Sequence, residues 1–322
     1  MQTVTILIPV YNEASVIVSN LREIIAHARA VDGVATNILL VDDGSTDDLA
    51  ARLKSAFARE PSLHYLRLTR NFGKEAAIGA GLSVIRRSDA VIVMDSDLQH
   101  PPALIGRMIA LWQQGYEVVD ACKVSRGDES LLHRWGSRLF YAIFDRLTGL
   151  HLQCHSDFKL IDRKVVAFYC NLPERERFFR GLIGWMHFNA TQIHFDVPPA
   201  TRTSTWSGWH LFTYALRSIT SFTSLPLQIV TLCGALTFLV SLVVGGIAVV
   251  DKISGQARDG FSTVILLILA IGSVLMFSLG LIGMYIARIY EEVKRRPAWI
   301  VDERGSKSPL NTLRHEHRRR VC

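Results

Sequence analysis

The order of apolar and polar positions predicts alternating strands and helices over the first third of the chain. Short apolar, β-branched runs predict strands, and apolar residues spaced three and four positions apart predict the helices between them. The predicted strands are 4–10, 37–41, 64–68, 90–94 and 117–121, and the predicted helices are 14–29, 47–59, 74–86 and 103–114. This alternation is typical of an α/β fold with a mostly parallel sheet covered on both faces.

The pattern becomes less regular after residue 121. It predicts an amphipathic helix at 131–147, a short strand near 158–162 and a helix at 177–185. Gly79 and Gly81 interrupt the helical pattern of 74–86, where close packing is a sufficient explanation. There is no G-x-G-x-x-G after the first strand, which argues against a dinucleotide-binding domain.

Two uncharged segments, 226–250 and 261–287, predict membrane spans, because each exceeds the roughly 20 residues that cross a bilayer. The mean hydropathy of +0.22 agrees with them. The preceding segment, 209–225, mixes large apolar residues with hydroxyls and one arginine, which predicts an interfacial helix. Two buried core helices are the alternative to membrane spans.

The distribution of charge predicts the orientation of these spans. The residues that follow the second span are rich in lysine and arginine (288–296), and the positive-inside rule places them in the cytoplasm. The N-terminus lacks the features of a signal peptide, so the residues before 226 are expected there too. We attribute the net charge of +7 to this basic segment and to the basic tail. Nucleic acid is not an expected partner, since no binding motif accompanies the charge. The five cysteines are scattered and show no C-x-x-C spacing, so they predict reduced thiols.

Two acids directly follow the predicted strand 90–94, in the sequence Asp95-Ser96-Asp97-Leu98-Gln99. In open α/β sheets, ligands bind at the edge where parallel strands end. Carboxylate oxygens suit Mg²⁺ or Mn²⁺, and such an ion usually also holds substrate phosphates. Acids after a strand can also simply cap a helix, so the pair alone leaves both interpretations open.

Polar blocks also follow the first three predicted strands, at 8–13, 41–47 and 70–75. Turns and helix caps would account for Asn12, Gly44 and Thr46 but not for the adjacent acids Asp42 and Asp43. An acid at such a strand end can accept hydrogen bonds from a nucleobase or a ribose. In the third block, glycine permits close approach of the backbone, and a lysine lies at a helix start, where phosphates bind.

The ordered blocks IPVYNE, VDDGSTD, RNFGKE and MDSDLQHPP, followed by SDFKLIDR and ERFFRGL, resemble the family 2 glycosyltransferases of GT-A fold. They are most similar to the polyprenyl-phosphate glycosyltransferases, such as bactoprenol glucosyltransferases and dolichol-phosphate mannose synthases, and the similarity covers residues 2 to about 302. The resemblance implies a Rossmann-like GT-A domain over 1–208 and the interfacial helix 209–225. The two spans and a cytoplasmic basic tail over 288–322 would follow.

The implied reaction is the inverting transfer of a hexose, with UDP-glucose as first choice, to undecaprenyl phosphate. It would take place at the inner face of a bacterial cytoplasmic membrane, with the catalytic domain and both termini in the cytoplasm. A homo-oligomer is expected, because relatives often assemble as tetramers. GDP-mannose, a UDP-N-acetylhexosamine and an aminoarabinose donor remain alternatives. A processive polysaccharide synthase is a further alternative, although its Gln-x-x-Arg-Trp motif is absent. The last alternative is a non-catalytic scaffold or flippase.

The resemblance also implies roles for individual residues. Nucleotide-sugar binding is implied for Pro9, Tyr11, Glu13, Asp42, Lys74, Asp95 and Arg202. Metal binding is implied for Asp95, Asp97 and Gln99, with Mg²⁺ or Mn²⁺, and catalytic roles for Asp97 and Asp157. Lipid-phosphate binding is implied for Lys123, Arg126, Arg134 and Ser137, which would otherwise be interpreted as a solvated basic face.

The family aspartate matched by Asp157 is often assigned as a general base. A phosphate monoester with a second pKa near about 6 is already largely dianionic at neutral pH. We therefore expect Asp157 mainly to orient basic residues, or to accept a proton when the monoanion binds.

The chain departs from the family pattern at several positions. Pro199 and Thr205 stand where the donor loop of many relatives has arginine and lysine, and Arg202 is offered as a replacement for one lost charge. Gln228 replaces an arginine, and His100 replaces an acid. These changes bear on the identity of the donor.

Overall fold

The computed structural model describes residues 1–53, 60–85, 87–123, 156–175, 177–195, 225–255 and 261–306. The chain divides into two compact units. Among the described residues, the first unit comprises those up to 195 together with 297–306, and the second comprises those from 225 to 296. The predicted helices 131–147 and 209–225 lie almost entirely outside the described residues, and the predicted helix 47–59 is described as helical over 49–53.

The first unit contains a seven-stranded sheet of order β3-β2-β1-β4-β6-β5-β7. The strands are β1 (Gln2–Val10), β2 (Val34–Asp42), β3 (Leu63–Arg67), β4 (Ala90–Val93), β5 (Val118–Lys123), β6 (Lys159–Asp162) and β7 (Ala190–Phe195). Strands β1 to β4 pair in parallel, β6 runs antiparallel to both of its neighbours, and β5 and β7 are parallel. The predicted α/β class with a mostly parallel sheet is confirmed.

The described helices of this unit include Ile17–Arg29, Lys74–Val84, Leu104–Gln113, Arg163–Asn171 and Phe179–Trp185. The first three follow the predicted helices to within about three residues at each end. The pattern of apolar positions predicts neither the helix Arg163–Asn171 nor the strand β7. Both come after the regular alternation of strands and helices has ended.

The core lies on both faces of the central strands. In β1, Ile6, Leu7 and Ile8 are all fully buried, as expected for a parallel strand covered by helices on either side. A Cβ atom at Gly81 would lie 2.4 Å from the Leu7 Cδ1 atom, and one at Gly79 would lie 2.9 Å from a ring carbon of Trp299. Close packing therefore explains both helical glycines, as predicted.

The second unit contains two long apolar helices, Leu225–Ile253 and Phe261–Lys294. The predicted spans 226–250 and 261–287 lie within them. Segments Val230–Asp251 and Ala270–Lys294 are long and apolar enough to cross a membrane, by length and composition. Their side chains are largely exposed in the isolated chain: Phe238 is 63% and Phe277 is 70% exposed. An exposed apolar surface of this kind requires a cover, such as a bilayer or a partner.

Candidate active site

The carboxyl ends of β1, β2 and β4 meet at one edge of the sheet. Val10 at the end of β1 is paired with Asp42 at the end of β2, and Leu7 is paired with Val93 at the end of β4. The polar blocks that follow these strands therefore lie side by side. This is the edge at which open α/β sheets bind ligands.

Asp43 organises the loop that follows β3. Its carboxylate accepts hydrogen bonds from the backbone N–H groups of Phe72 (2.7 Å) and Gly73 (2.8 Å), just before the helix Lys74–Val84 begins. Burial raises the pKa of Asp43, and these two N–H groups oppose that shift. An anion here also complements the positive end of the helix. Asp43, left unexplained by the sequence, thus has a structural role.

Gly44 allows the β2 loop and the β3 loop to touch. Its φ is +69°, and a Cβ atom there would lie 2.3 Å from the backbone carbon of Arg70. Both the left-handed conformation and the close approach require a residue without a side chain.

Asp42 is 1% exposed and lies within a hydrogen-bond network. Its Oδ1 atom accepts from the backbone N–H of Ser45 at 2.8 Å. Its Oδ2 atom accepts from the hydroxyl of Tyr65 and lies 3.7 Å from the Nε atom of Arg67. Burial and the neighbouring carboxylate raise the pKa of Tyr65, so its phenol stays protonated and donating. A nucleotide contact at Asp42 would have to share oxygens that already have protein partners.

Hydrogen bonds tie the three edge loops to one another. Asn12, whose φ is +53°, accepts from the backbone N–H of Thr46 at 2.8 Å, and its own N–H donates to the Ser45 hydroxyl at 2.9 Å. The hydroxyl of Ser96 donates to the carboxylate of Glu13. Among the described residues, Asn12 therefore joins two loops. Pro9 is buried at the end of β1, and Tyr11 is 43% exposed at the edge.

A charged cluster lies beside these loops. The Nζ atom of Lys74 is 2.6 Å from Asp95 Oδ1 and 2.7 Å from Asp157 Oδ2. Arg180 also contacts Asp157 with two nitrogens, Nε at 2.5 Å from Oδ1 and Nη2 at 2.7 Å from Oδ2. The cluster therefore joins the ends of β3 and β4 to the segment before β6.

The charges in this cluster stabilise one another. Burial favours neutral Asp157, but Arg180 and Lys74 outweigh it and hold the pKa of Asp157 well below its usual range. Burial likewise favours a neutral amine, but Asp95 and Asp157 outweigh it and raise the pKa of Lys74. Asp157 and Lys74 are consequently both charged at neutral pH.

Glu75, next to Lys74, anchors the segment that carries Arg180. Its Oε2 atom accepts from the backbone N–H of Phe179 at 2.9 Å, where the helix Phe179–Trp185 begins. Burial, reinforced by the Asp157 carboxylate, raises the pKa of Glu75 to about 7. Neither Glu75 nor Arg180 was assigned a role from the sequence, although both lie in the quoted blocks RNFGKE and ERFFRGL. Their position in these blocks is the feature of the sequence that could have identified them as site residues.

The residues predicted to bind metal lie at the same edge. Asp97 and Gln99 are exposed, and the side chain of Asp95 is 28% exposed. Asp97 Oδ1 accepts from the backbone N–H of Gln99 at 3.0 Å, and Leu98 between them has a φ of +57°, a strained value for a residue other than glycine. Strain of this kind is often found at ligand sites.

These residues fit a hard divalent cation that is only partly coordinated by protein. Within the described residues, no group of three His, Cys, Asp or Glu side chains is arranged to hold a metal. Asp95 and Asp97 would therefore need the amide oxygen of Gln99, water or substrate phosphates to complete the coordination. Mg²⁺ is usually bound in this way, through one or two carboxylates and phosphates.

His100, which replaces an acid of the family pattern, supports the backbone of Asp95. Its Nδ1 atom accepts from the Asp95 N–H at 3.1 Å, and its ring stacks on Phe158 with centroids 5.0 Å apart. Burial lowers the pKa of His100. The ring is thus neutral, with its proton on Nε2.

The structure brings most of the predicted nucleotide and metal residues to one edge, and Lys74, Asp95 and Asp157 into direct contact. Lys123 is the last residue of β5. Four predicted site residues lie outside the described part of the chain: Arg126, Arg134, Ser137 and Arg202. Pro199 and Thr205, which depart from the family pattern, also lie outside it.

The chain belongs to glycosyl transferase family 2, whose sequence model matches residues 5–169. It is 31% identical over 304 residues to the bactoprenol glucosyl transferase of Shigella phage SfX, covering 94% of this chain and 99% of that protein. It is 36% identical over 305 residues to an uncharacterized glycosyltransferase of Synechocystis sp., covering 93% and 94%. The predicted family is confirmed, and the seven-stranded sheet is GT-A-like.

Among solved structures, the chain is similar to glucosyl-3-phosphoglycerate synthase from Mycobacterium tuberculosis in complex with Mn²⁺ and UDP-glucose. The TM-score is 0.46 and the identity 19%, with 68% of this chain and 77% of that chain covered. At this level the likeness decides neither the metal nor the donor of this chain.

Proposed function

We propose that this glycosyltransferase transfers a hexose, with UDP-glucose as the first-choice donor, to undecaprenyl phosphate with inversion of configuration. The observation that carries the proposal is the full-length similarity to bactoprenol glucosyl transferases, which includes both apolar helices. A C55 lipid cannot leave the bilayer, so its phosphate is reachable only at the membrane surface. An enzyme with a catalytic domain and two candidate spans in one chain suits such an acceptor.

The proposed orientation places the catalytic domain and both termini in the cytoplasm of a bacterial cell, at the inner membrane. The basic residues after the second helix support this orientation. A homo-oligomer remains part of the proposal. The lipid phosphate would be met by Lys123, Arg126, Arg134 and Ser137, whose positive charges and hydroxyl suit an anionic group.

The proposed donor site lies at the sheet edge. Asp97, with Asp95 and Gln99, would hold Mg²⁺ or Mn²⁺, which when bound neutralises negative charge that develops on the departing diphosphate. Tyr11, exposed at the edge, would contact the nucleoside. The remaining donor contacts proposed from the sequence are Pro9, Glu13, Asp42, Lys74 and Arg202.

We assign Asp157 an orienting role. A carboxylate that is held by Arg180 and Lys74 is a weak base, because its proton affinity is low. The acceptor phosphate, already largely dianionic at neutral pH, has little need of one. Asp157 instead fixes two cations at the place where anionic donor and acceptor groups would meet.

The proposal is tested with membranes that contain the full-length protein, incubated with undecaprenyl phosphate and one radiolabelled sugar nucleotide at a time. UDP-glucose should give nucleotide release and labelled lipid, and the panel should include GDP-mannose and a UDP-N-acetylhexosamine. Transfer from another donor would correct the donor alone. Elongating polysaccharide without labelled lipid would support a synthase and contradict the proposed acceptor.

A further inference from the structure

The segment 297–306, here called the C-terminal strap, follows the second apolar helix in sequence but belongs to the first unit. It pairs antiparallel with the end of β3, which is the outermost strand of the sheet. Its contacts are a bridge between Leu68 and Val301, a hydrogen bond from Thr69 N–H to Ile300 O (3.0 Å), and one from Asp302 N–H to Arg67 O (2.7 Å). The strap thereby satisfies backbone groups that an edge strand would otherwise expose.

Trp299 gives the strap a second attachment. Its ring lies over Gly79 of the helix Lys74–Val84, so closely that a Cβ atom at Gly79 would approach the ring to 2.9 Å. The guanidinium carbon of Arg177 lies 5.8 Å from the Trp299 ring centroid and 5.2 Å from the Tyr169 ring centroid. Trp299 therefore packs against the same helix whose first residue is Lys74.

The strap also holds the backbone of Arg67, whose side chain extends to the edge of the sheet where the sugar nucleotide is proposed to bind. The N–H of Arg67 donates to the hydroxyl of Ser306 at 3.0 Å. The Arg67 side chain donates to the carbonyl of Ser45 at 3.1 Å, and its Nε atom lies 3.7 Å from Asp42 Oδ2. Arg67 thus links the strap, which its backbone N–H contacts, to the loop after β2, which its side chain contacts.

A third link runs through the loop after β3. Thr69, which donates to the strap, directly precedes Arg70, whose backbone touches Gly44. The loop then passes through the N–H groups held by Asp43 and ends at Lys74. The strap therefore contacts the loop at its start and the following helix one and a half turns from Lys74.

We infer that the C-terminal strap is a positioning element for the donor site, with Trp299 as its principal side chain. The inference rests on the proposed function, since it assumes that the edge around Asp42 and Lys74 binds a sugar nucleotide. It assigns a functional role to a segment that lies outside residues 5–169, the part matched by the family model. The donor site of this chain is therefore complete only with residues that follow both apolar helices in the sequence.

The test compares three full-length variants in detergent or lipid nanodiscs. Trp299→Ala removes the ring, Trp299→Phe retains an aromatic ring, and Ile300→Ala is the matched control, because the Ile300 side chain is 51% exposed while its carbonyl stays in place. The affinity for UDP is measured by calorimetry, and KM is measured separately for donor and acceptor. Thermal unfolding shows that each variant is folded at the assay temperature.

Trp299→Ala should weaken UDP binding and raise the donor KM about tenfold, since a displacement of about 1 Å at a positioning contact can cost up to about 10²-fold in rate. The KM for undecaprenyl phosphate should stay unchanged, Trp299→Phe should recover most of the affinity, and Ile300→Ala should resemble the wild type. A role in stability alone would lower the unfolding temperature and leave both KM values unchanged.

Two failures are distinguishable. Equal UDP affinity in the wild type and folded Trp299→Ala would overturn the inference and leave the proposed function standing. A wild-type protein that binds neither UDP nor GDP would contradict the proposed function and the inference together. Should Trp299→Ala not fold, Gly79→Ala provides the second measurement, because its methyl group pushes against the ring and should also raise the donor KM.

Discussion

Replacing Asp157 by asparagine removes the charge at the centre of the Lys74–Asp95–Asp157–Arg180 cluster while keeping the shape of the side chain. The carboxylate is 4% exposed and accepts from Arg180 Nη2 and Lys74 Nζ, each at 2.7 Å. An asparagine presents a single oxygen and an NH₂ group that cannot accept. Arg180 contacts both carboxylate oxygens, so at least one of its two hydrogen bonds must be lost, whereas Lys74 keeps the Asp95 carboxylate at 2.6 Å.

The loss of stability follows from the burial of the partners. Breaking a buried ion pair costs about 3–5 kcal/mol. The side chains of Arg180 and Lys74 are 36% and 41% exposed, so water can partly solvate the released charge. We therefore expect Asp157→Asn to lower the free energy of unfolding by about 2–3 kcal/mol, which is at or below the lower end of that range. The activity should also fall, by about 10²-fold, since the charged partner that fixes Arg180 and helps to fix Lys74 is gone.

The assay is the pH dependence of kcat/KM between pH 5.5 and 9 for the wild type and Asp157→Asn. An orienting role predicts the same factor of loss at every pH. A general base with its pKa in this range would instead give a wild-type profile that rises with pH and a variant profile that lacks this rise. That result would refute the orienting role.

Stability against acid provides an independent check on the same group. The pKa of Asp157 is lowered in the folded state, so its ionisation stabilises the fold at every pH above the unfolded value of about 3.9. This contribution is lost as the pH falls through the lowered folded value. Asp157→Asn should therefore show a weaker decrease in stability below about pH 4 than the wild type.

Three further predictions concern the edge loops and the segment beside the cluster. Asp97→Asn should lower kcat by roughly 10²-fold or more at saturating Mg²⁺, and unchanged turnover would contradict its metal role. Glu75→Gln should flatten the pH dependence of stability. Because the folded-state pKa of Glu75 is about 7, the wild type should lose roughly 3 kcal/mol of its free energy of unfolding as the pH rises from about 4 to 7. Thermal unfolding of both proteins at pH 5 and pH 8 measures this difference. Gly44→Ala should cost about 3 kcal/mol or more in chemical denaturation because strain and the clash with Arg70 add, whereas the control Gly33→Ala, with φ +77° and open space among the described residues, should cost only about 1–2 kcal/mol; equal losses would exclude the clash.

The sheet edge could be predicted because it depends on local patterns. Each apolar run that predicts a strand is followed by its polar block, and parallel strands bring such blocks together whatever their spacing in the chain. This is why Asp42, Asp95 and Lys74 were placed at one edge from the sequence. The family resemblance then added Asp157.

The contacts that hold the cluster together could not be predicted in this way. Lys74 and Asp157 are separated by 83 positions, and their pairing depends on how β6 enters the sheet antiparallel to β4. Arg180 lies in the first turn of the helix Phe179–Trp185, whose start is bonded to Glu75, a residue 104 positions away from Phe179. Contacts between distant segments leave no periodic signal in a single sequence.

Adjacent acids posed a related difficulty. The sequence shows Asp42 and Asp43 as equivalent, but successive side chains at the end of a strand point to opposite sides. Asp42 meets Tyr65 and Arg67, and Asp43 meets the backbone before Lys74. The C-terminal strap was likewise hidden within a stretch interpreted as basic tail, because Trp299 and Val301 acquire partners only through β3 and Gly79.

The most direct test of the account is the fate of the sugar label when purified full-length protein is incubated with Mg²⁺, undecaprenyl phosphate and radiolabelled UDP-glucose. We expect the label to pass into the organic phase as a lipid-linked monosaccharide, with one UDP released for each sugar transferred and with transfer by Asp97→Asn slower by roughly 10²-fold or more. Nucleotide release without labelled lipid, from UDP-glucose and from each other sugar nucleotide of the donor panel, would contradict the proposed transfer to the lipid.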